Sequence, residues 1–389
     1  MPTGRFGGRL VLTRTFHYVD GDGRPGSYTD RKRHLWLLSV VYPLSPVFAV
    51  ALHALTGRDW MLAFPLVFGY VVVPMLDALF GEDRSNPPEQ TVPELENDRY
   101  YRLLTWLTVP LHVVSLVVAA FWAATQGLGP AAWITLALVA GMASGLAVNT
   151  AHEMGHKHTR IEQWLSRLAL AVPAYGHFTV EHNFGHHRHV ATPEDCASAR
   201  MNESIYRFAL REMPGGVFRA WRIERRRLAR RGRSAWSPQN TILQSWLMTL
   251  LLQVGLVMAL GWTTLAFLFI HNLFAWFQLT SANYVEHYGL LRRKDEAGTY
   301  ERCRPHHSWN SNHVFSNLLL FHLERHSDHH ANPNRRYQSL RHFEDLPQLP
   351  TGYFGMFVLA YLPPLWFRVM NRRLLGLPHI AGDLAKVNR

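Results

Sequence analysis

Residues 131–157, AAWITLALVAGMASGLAVNTAHEMGHK, decide how this 389-residue chain folds. The first 21 of them carry no charge; at ~1.5 Å per residue a helix of that length crosses a ~30 Å hydrocarbon layer. The next five, His152-Glu153-Met154-Gly155-His156, place two histidines four apart. A helix running on out of the membrane would present both imidazoles on one face.

Five further segments, 35–56, 60–80, 103–125, 241–260 and 262–282, hold no Lys or Arg, so the chain is expected to cross a bilayer six times. The links 57–59, 126–130 and 261 carry one basic residue, Arg58, and the other 39 of the 40 Lys and Arg lie on the opposite side. Basic residues are retained in the cytoplasm. Both termini and both large polar segments are therefore expected there, in a cell whose inner membrane holds the spans. The same bias, with attraction to anionic lipid, accounts for the net charge of +12 without nucleic acid.

The expected organisation is a cytoplasmic arm (1–34), four spans (35–151), a cytoplasmic segment (152–240), two spans (241–282) and a cytoplasmic C-terminal segment (283–389). The arm, rich in Gly and Arg, shows no helical period and is expected to be loosely ordered. Pro43, Pro46, Pro65, Pro74 and Pro110 interrupt the first three spans; they bear on straightness more than on crossing. Stretch 164–172 is too short to span, and 349–367 is broken by prolines, so both are expected to be buried or interfacial. The first 15 residues lack the compact apolar region of a signal peptide. Cys196 and Cys303 form no CxxC pair, which argues against a disulfide or an iron–thiolate centre. The fold class is an all-α integral membrane protein with a cytoplasmic helical cap.

Histidines recur beyond these spans. His182, His186 and His187 lie in HNFGHH, His326, His329 and His330 in HSDHH, and His287 stands alone in NYVEHYG. The pairs 152/156 and 182/186 and the triplet 326/329/330 have the three- and four-residue spacings of one helix face. Imidazole is the commonest metal ligand in proteins. Nine rings are too many for one ion, whereas two ions would each take four or five. Nitrogen ligation alone leaves zinc, copper, iron and nickel open. The other fourteen of the 23 histidines, including His158, His177, His306 and His307, are read as ordinary core or surface residues.

HEMGH also fits the H-E-x-x-H pattern of zinc metalloproteases. That reading needs one further ligand and leaves the remaining histidines unexplained. A metal transporter would carry ionisable residues at mid-span, where only His53, His112 and His271 stand, isolated.

The three boxes resemble those of membrane-bound di-iron desaturases and hydroxylases. With NTAHEMGHK, EHNFGHH, ATPEDCASARMNESIYRF, QLTSANYVEHYGLLR, PHHSWNSNH, LERHSDHHANP and YQSLRHFEDLPQLPTGY around them, the chain from about residue 34 onward resembles the alkane 1-monooxygenases. The resemblance implies two non-haem irons on the nine histidines, with no further catalytic residue. It implies O2-dependent hydroxylation of the terminal methyl of medium- to long-chain alkanes drawn from the membrane. Electrons would come from a separate rubredoxin reduced by an NAD(P)H-dependent rubredoxin reductase. Methyl hydroxylation of alkylarenes and fatty-acyl desaturation are sister reactions on the same scaffold.

The run Arg225, Arg226, Arg227, Arg230, Arg231 and Arg233 offers an acidic rubredoxin a complementary charge, although positive-inside bias explains the same run. Two positions depart from the family. His189 stands where an Asp is common, leaving Asp195, or Glu153, Glu181, Glu286 or Asp328, to orient a ligand ring. Ala51 stands where some medium-chain members have a bulky aromatic, so it is expected to line a substrate channel open to longer chains, beyond about ten carbons.

Overall fold

The computed structural model describes residues 14–389. Among these residues, six helices are long and apolar enough to cross a membrane: Leu37–Thr56, Asp59–Phe80, Arg99–Thr125, Pro130–Gly155, Thr241–Leu260 and Thr263–His287. Each contains one of the expected segments, and the protein is a multi-pass helical membrane protein.

Spans four and six run further than hydropathy alone suggests. Span four continues through His152 to Gly155 and span six through Asn283 to His287. Neither extension contains a proline, and both are buried against protein, so the polar ends stay helical. Span four carries the small residues that bring these two helices together. A Cβ on Gly141 would lie 2.7 Å from the His271 carbonyl, and one on Gly145 would lie 2.6 Å from the Gln278 Cβ. Small side chains four apart let membrane helices approach this closely, and His271 adds an Nε2–Ser144 Oγ contact at 2.7 Å. The Gly141/Gly145 face thus sets the distance between the helix of His152 and that of His287.

Prolines shape span two without stopping it. It passes from a 3₁₀ turn (Asp59–Ala63) through Phe64–Val67 and a π-turn (Phe68–Val72) to Val73–Phe80, with Pro65 and Pro74 in the second positions of the α-helical parts. Missing amide donors are absorbed by local changes of winding.

The expectation for the N-terminal arm is corrected. Its residues 1–13 lie outside the described residues, but Arg14–Val19 pairs antiparallel with Pro25–Asp30 in a hairpin. Phe16 is buried, Arg14 and Arg33 both pair with Asp98, and the Tyr101 hydroxyl donates to Asp30. Charge and aromatic contacts to span three hold a segment whose composition suggested disorder.

The cap is helical. Arg160–Ala171 is amphipathic, with Ile161, Trp164 and Leu168 exposed along one side. Ile205–Ala229 packs against spans five and six. Stretch 349–367 forms the short helices Tyr353–Ala360 and Pro363–Leu375, the first largely buried against span six, where Tyr361 just beyond it stacks on Phe277 at 5.4 Å.

Candidate metal centre

Nine histidines converge from four elements: the ends of spans four and six, the short helix formed by Phe178–Glu181, His182–His186 and His187–His189, and the helix His326–Ala331. They form two groups. His152, His156, His182, His187 and His329 offer ring nitrogens within 4.8 Å of one another, and so do His186, His287, His326 and His330.

Helical spacing accounts for half of this division. His152/His156 and His326/His330, each four apart, stay together as expected, whereas His329 leaves the triplet expected on one face and joins the other group. His182 and His186, also four apart, part company, and His182 joins His187 instead. The cause is local winding, because His182–His186 is a π-turn. Its i→i+5 hydrogen bonding brings residues five apart onto one face. Gly185 lies inside that turn; a Cβ there would stand 2.7 Å from Glu181 Oε1 and 3.1 Å from Arg219 Nε.

The ring nitrogens are arranged for cations. His186 Nδ1 donates to Asp195 Oδ2 at 2.8 Å, and His287 Nδ1 donates to the His307 carbonyl at 3.2 Å. In the neutral ring, this leaves the lone pair of each on Nε2. Yet His186 Nε2 lies 3.3 Å from His330 Nε2, and His287 Nε2 lies 3.2 Å from His326 Nε2. The first group has similar approaches, His182 to His187 at 2.9 Å and His187 to His329 at 3.2 Å. Bonds of ~2.0–2.1 Å to a shared ion would put neighbouring nitrogens about 2.9–3.4 Å apart. His152 Nε2 and His156 Nε2 are buried with no hydrogen-bond partner among the described residues. Buried lone pairs facing one another at these distances fit a metal in each group. Burial, reinforced by neighbouring histidines, holds the rings of His156, His182, His187, His326, His329 and His330 well below the usual histidine pKa, in the neutral form that binds metals.

Of the carboxylates considered for orienting a histidine ring, Asp195 accepts from His186 Nδ1. It also accepts from Ser198 Oγ at 2.7 Å and from Arg219 at 2.9 Å. Burial would raise its pKa, but His186 and Arg219 hold it well below the usual carboxylate range. Glu153 pairs with Lys157 at 3.2 Å, Asp328 with Arg341 at 2.9 Å, and Glu181 with Arg219 at 3.4 Å. His189 is half-exposed and pairs with Glu194 at 3.2 Å, away from the rings.

Arg219 gave no signal in the sequence. It sits on a cap helix, reaches Asp195, and donates to the Gly185 carbonyl at 2.9 Å. Asn183 and Gln163 were equally unforeseen; both donate to the Gly155 carbonyl at 3.0 Å and so cap span four where its histidines lie.

Above the rings opens a narrow, mostly apolar cavity between spans one, four and six and the helix Tyr353–Ala360. His152 and His182 of one group and His326 of the other reach it, beside Leu146, Phe354 and Phe357. Glu286 is the acidic residue of the lining, its Oε2 3.3 Å from His326 Nε2. Tyr42 separates this cavity from a second apolar one of about 200 Å³, bordered by Leu38, Val41, Ser45 and Phe48 of span one and Phe64, Pro65 and Phe68 of span two. Ala51 borders neither cavity. It is exposed, one turn beyond Phe48 on the same side of span one.

The profile of the fatty acid desaturase family matches residues 128–360. Alkane 1-monooxygenase 1 of Alcanivorax borkumensis is 54% identical, covering 92% of this chain and 89% of its own. The alkane 1-monooxygenase of Ectopseudomonas oleovorans is 52% identical with the same coverage. The xylene/toluene monooxygenase hydroxylase component of Pseudomonas putida is 25% identical over 87% of this chain and 82% of its own. Six spans, two histidine groups and relatives matched over nine-tenths of the sequence together mean that this chain belongs to the alkane 1-monooxygenases, within the fatty acid desaturase family.

Proposed function

We propose that this chain hydroxylates the terminal methyl of medium- to long-chain n-alkanes, consuming O2, two electrons and two protons and releasing a primary alcohol and water. The observation that carries the proposal is the apolar cavity onto which both histidine groups open. A hydrocarbon offers no charge or hydrogen bond by which to be held. Apolar walls supply about 0.8 kcal/mol per buried methylene and exclude water.

The nine histidines would hold two irons, five rings on one and four on the other, at the cytoplasmic ends of spans four and six. Iron bound there supplies the redox chemistry that an unactivated C–H bond requires. The chain's own part is position. His152, His182 and His326 end the cavity, so the methyl of an alkane lying along Leu146, Phe354 and Phe357 points at both groups. Asp195 fixes the His186 ring, and the His307 carbonyl fixes that of His287. Glu286 keeps a carboxylate oxygen at the boundary between hydrocarbon and ligands.

Alkanes would arrive from the lipid by way of the second cavity, between spans one and two, and pass Tyr42. Ala51 would lie beside the outer part of chains long enough to extend beyond Phe48. Electrons would come from a separate rubredoxin and its NAD(P)H-dependent reductase. Arg225, Arg226, Arg230, Arg231 and Arg233, exposed at the end of Ile205–Ala229 and just beyond it, suit an acidic partner.

The protease reading fares worse. Glu153, the would-be general base, is engaged by Lys157, and His152 and His156 share their group with three further histidines. Purified protein supplied with rubredoxin, its reductase and octane, hexadecane or a xylene should yield 1-octanol or 1-hexadecanol. Metal analysis with Mössbauer spectroscopy should find about two irons per chain. One tightly held zinc and no alkanol would defeat the proposal.

A further inference from the structure

Beside His156, on the side away from the alkane cavity, lies a polar cavity of about 330 Å³ that the proposed reaction does not use. Three of its lining residues are cations, Lys157, Arg167 and Arg227, and among the described residues that line it none is acidic. Two of these cations are already matched. Lys157 pairs with Glu153 at 3.2 Å, and Arg227 makes two 2.6 Å bonds to Glu224. Arg167 has no carboxylate within 4.0 Å among the described residues; its guanidinium stacks 4.6 Å from the Trp164 ring centre. It is half-buried, and burial with the nearby charge of Arg227 presses its pKa below the usual arginine value although Glu224 acts against them. With Arg227 matched by Glu224, the guanidinium of Arg167 is the one left in this polar hollow for an anion to relieve.

Depth in the membrane identifies the source of that anion. Gly155, the last residue of span four, and Thr241, the first of span five, both line the cavity, so it sits at the level of one membrane surface. Its wall is the helix Arg160–Ala171, whose Ile161, Trp164 and Leu168 are exposed. A strongly amphipathic helix with an aromatic-bearing apolar side lies in the interface with that side toward the acyl chains. Phe184, 52% exposed, extends the apolar rim. The opening is therefore polar and basic within and apolar at its edge. A free phosphate matches only the first property, whereas a phospholipid matches both.

We infer that this cavity binds the phosphate of an anionic phospholipid, with Arg167 as its principal ligand, Arg227 and Lys157 adding positive charge, and the acyl chains lying along Trp164 and Phe184. Bound there, the lipid would abut His156 at the end of span four and Asn183 of the π-turn His182–His186. The site is independent of the identity of the metals.

The test uses the full chain in detergent with phosphatidylglycerol, phosphatidylcholine or inorganic phosphate as probe, read by native mass spectrometry and by thermal unfolding. Wild type should retain phosphatidylglycerol about tenfold over phosphatidylcholine. Arg167→Gln should bring the two lipids level, while Arg226→Gln, on an exposed arginine outside the cavity, should leave the preference in place. Arg167→Lys, which keeps the charge, should recover part of it and serves as the readout where the glutamine variant is too unstable to purify. Equal retention of both lipids by wild type, or an undiminished preference in both Arg167 variants, overturns the inference. An Arg167-dependent stabilisation that inorganic phosphate reproduces without lipid also overturns it, because the site would then take a soluble anion.

Discussion

Asp195 Oδ2 lies 2.8 Å from Nδ1 of His186, and the opposite face of the same carboxylate is gripped by Arg219 at 2.9 Å. The pair joins a loop after the second histidine box to a ring that faces His330. Because the carboxylate accepts at Nδ1, the neutral His186 ring has its lone pair on Nε2, turned toward the second group.

Asp195→Asn should therefore weaken metal binding at one group and spare the other. An amide can present its NH2 to the ring and favour the wrong tautomer. Losses of about 10- to 100-fold in affinity are typical when such a partner is removed. Metal titration should show a stoichiometry falling from two toward one per chain, with the remaining ion unchanged in its Mössbauer signature. Equal loss from both groups would show that Asp195 acts on the fold rather than on His186.

The π-turn gives a second prediction. Gly185→Ala puts a methyl group 2.7 Å from Glu181 Oε1 and 3.1 Å from Arg219 Nε. The turn must open or Arg219 must let go, at a cost of about 1–3 kcal/mol. Since His182 and His187 face one group and His186 the other only through this turn, both groups should bind metal less tightly. Iron content should fall along with the unfolding temperature, whereas Gly255→Ala, at a lipid-side glycine with nothing within 4 Å, should change neither.

Chain length offers a third. Tyr42 stands between the two apolar cavities, wedged against Gly69, where a Cβ would come within 2.8 Å of its hydroxyl. Tyr42→Ala should join the cavities and move the product profile toward longer alkanes. Ala51→Trp should act oppositely, cutting turnover of hexadecane while leaving octane untouched. Gas chromatography over a ladder of alkanes reads both, and an unchanged profile in the pair would remove the second cavity from the substrate's path.

Much of this was legible in the sequence because its cause is local. A run without Lys or Arg has few alternatives to crossing a membrane, and all six runs became spans. His152/His156 and His326/His330 paired as four-residue spacing requires. The rest depended on information that spacing does not carry. A π-turn and an α-helix have the same composition, so the parting of His182 from His186 could not be read from HNFGHH. Asp195 stood first among five carboxylates, but Arg219, 24 residues on, which holds it, gave no sign in the sequence. The arm looked disordered because its partners, Asp98 and Tyr101, lie in another part of the chain.

The fourth prediction concerns Glu212, buried on the cap helix Ile205–Ala229. Burial pushes its carboxyl up to about 7, although Thr280 Oγ donates to it at 2.7 Å and Asn283 at 3.2 Å. A folded-state pKa above the ordinary 4.5 means that the folded chain holds this proton more tightly than the unfolded one. The stability it contributes is complete below pH 4.5 and is lost as pH rises to about 7, where the folded carboxyl itself ionises. The full swing is on the order of 3 kcal/mol. Histidine protonation and metal release act in the same range but in the opposite direction, and they affect wild type and Glu212→Gln alike. The difference between the two proteins isolates the carboxyl. Unfolding temperatures in detergent should show the glutamine variant gaining on wild type from pH 5 to pH 7, with the gap constant above that. A gap that does not change with pH would mean that Glu212 stays ionised in its pocket, held by Thr280 and Asn283 strongly enough to outweigh burial.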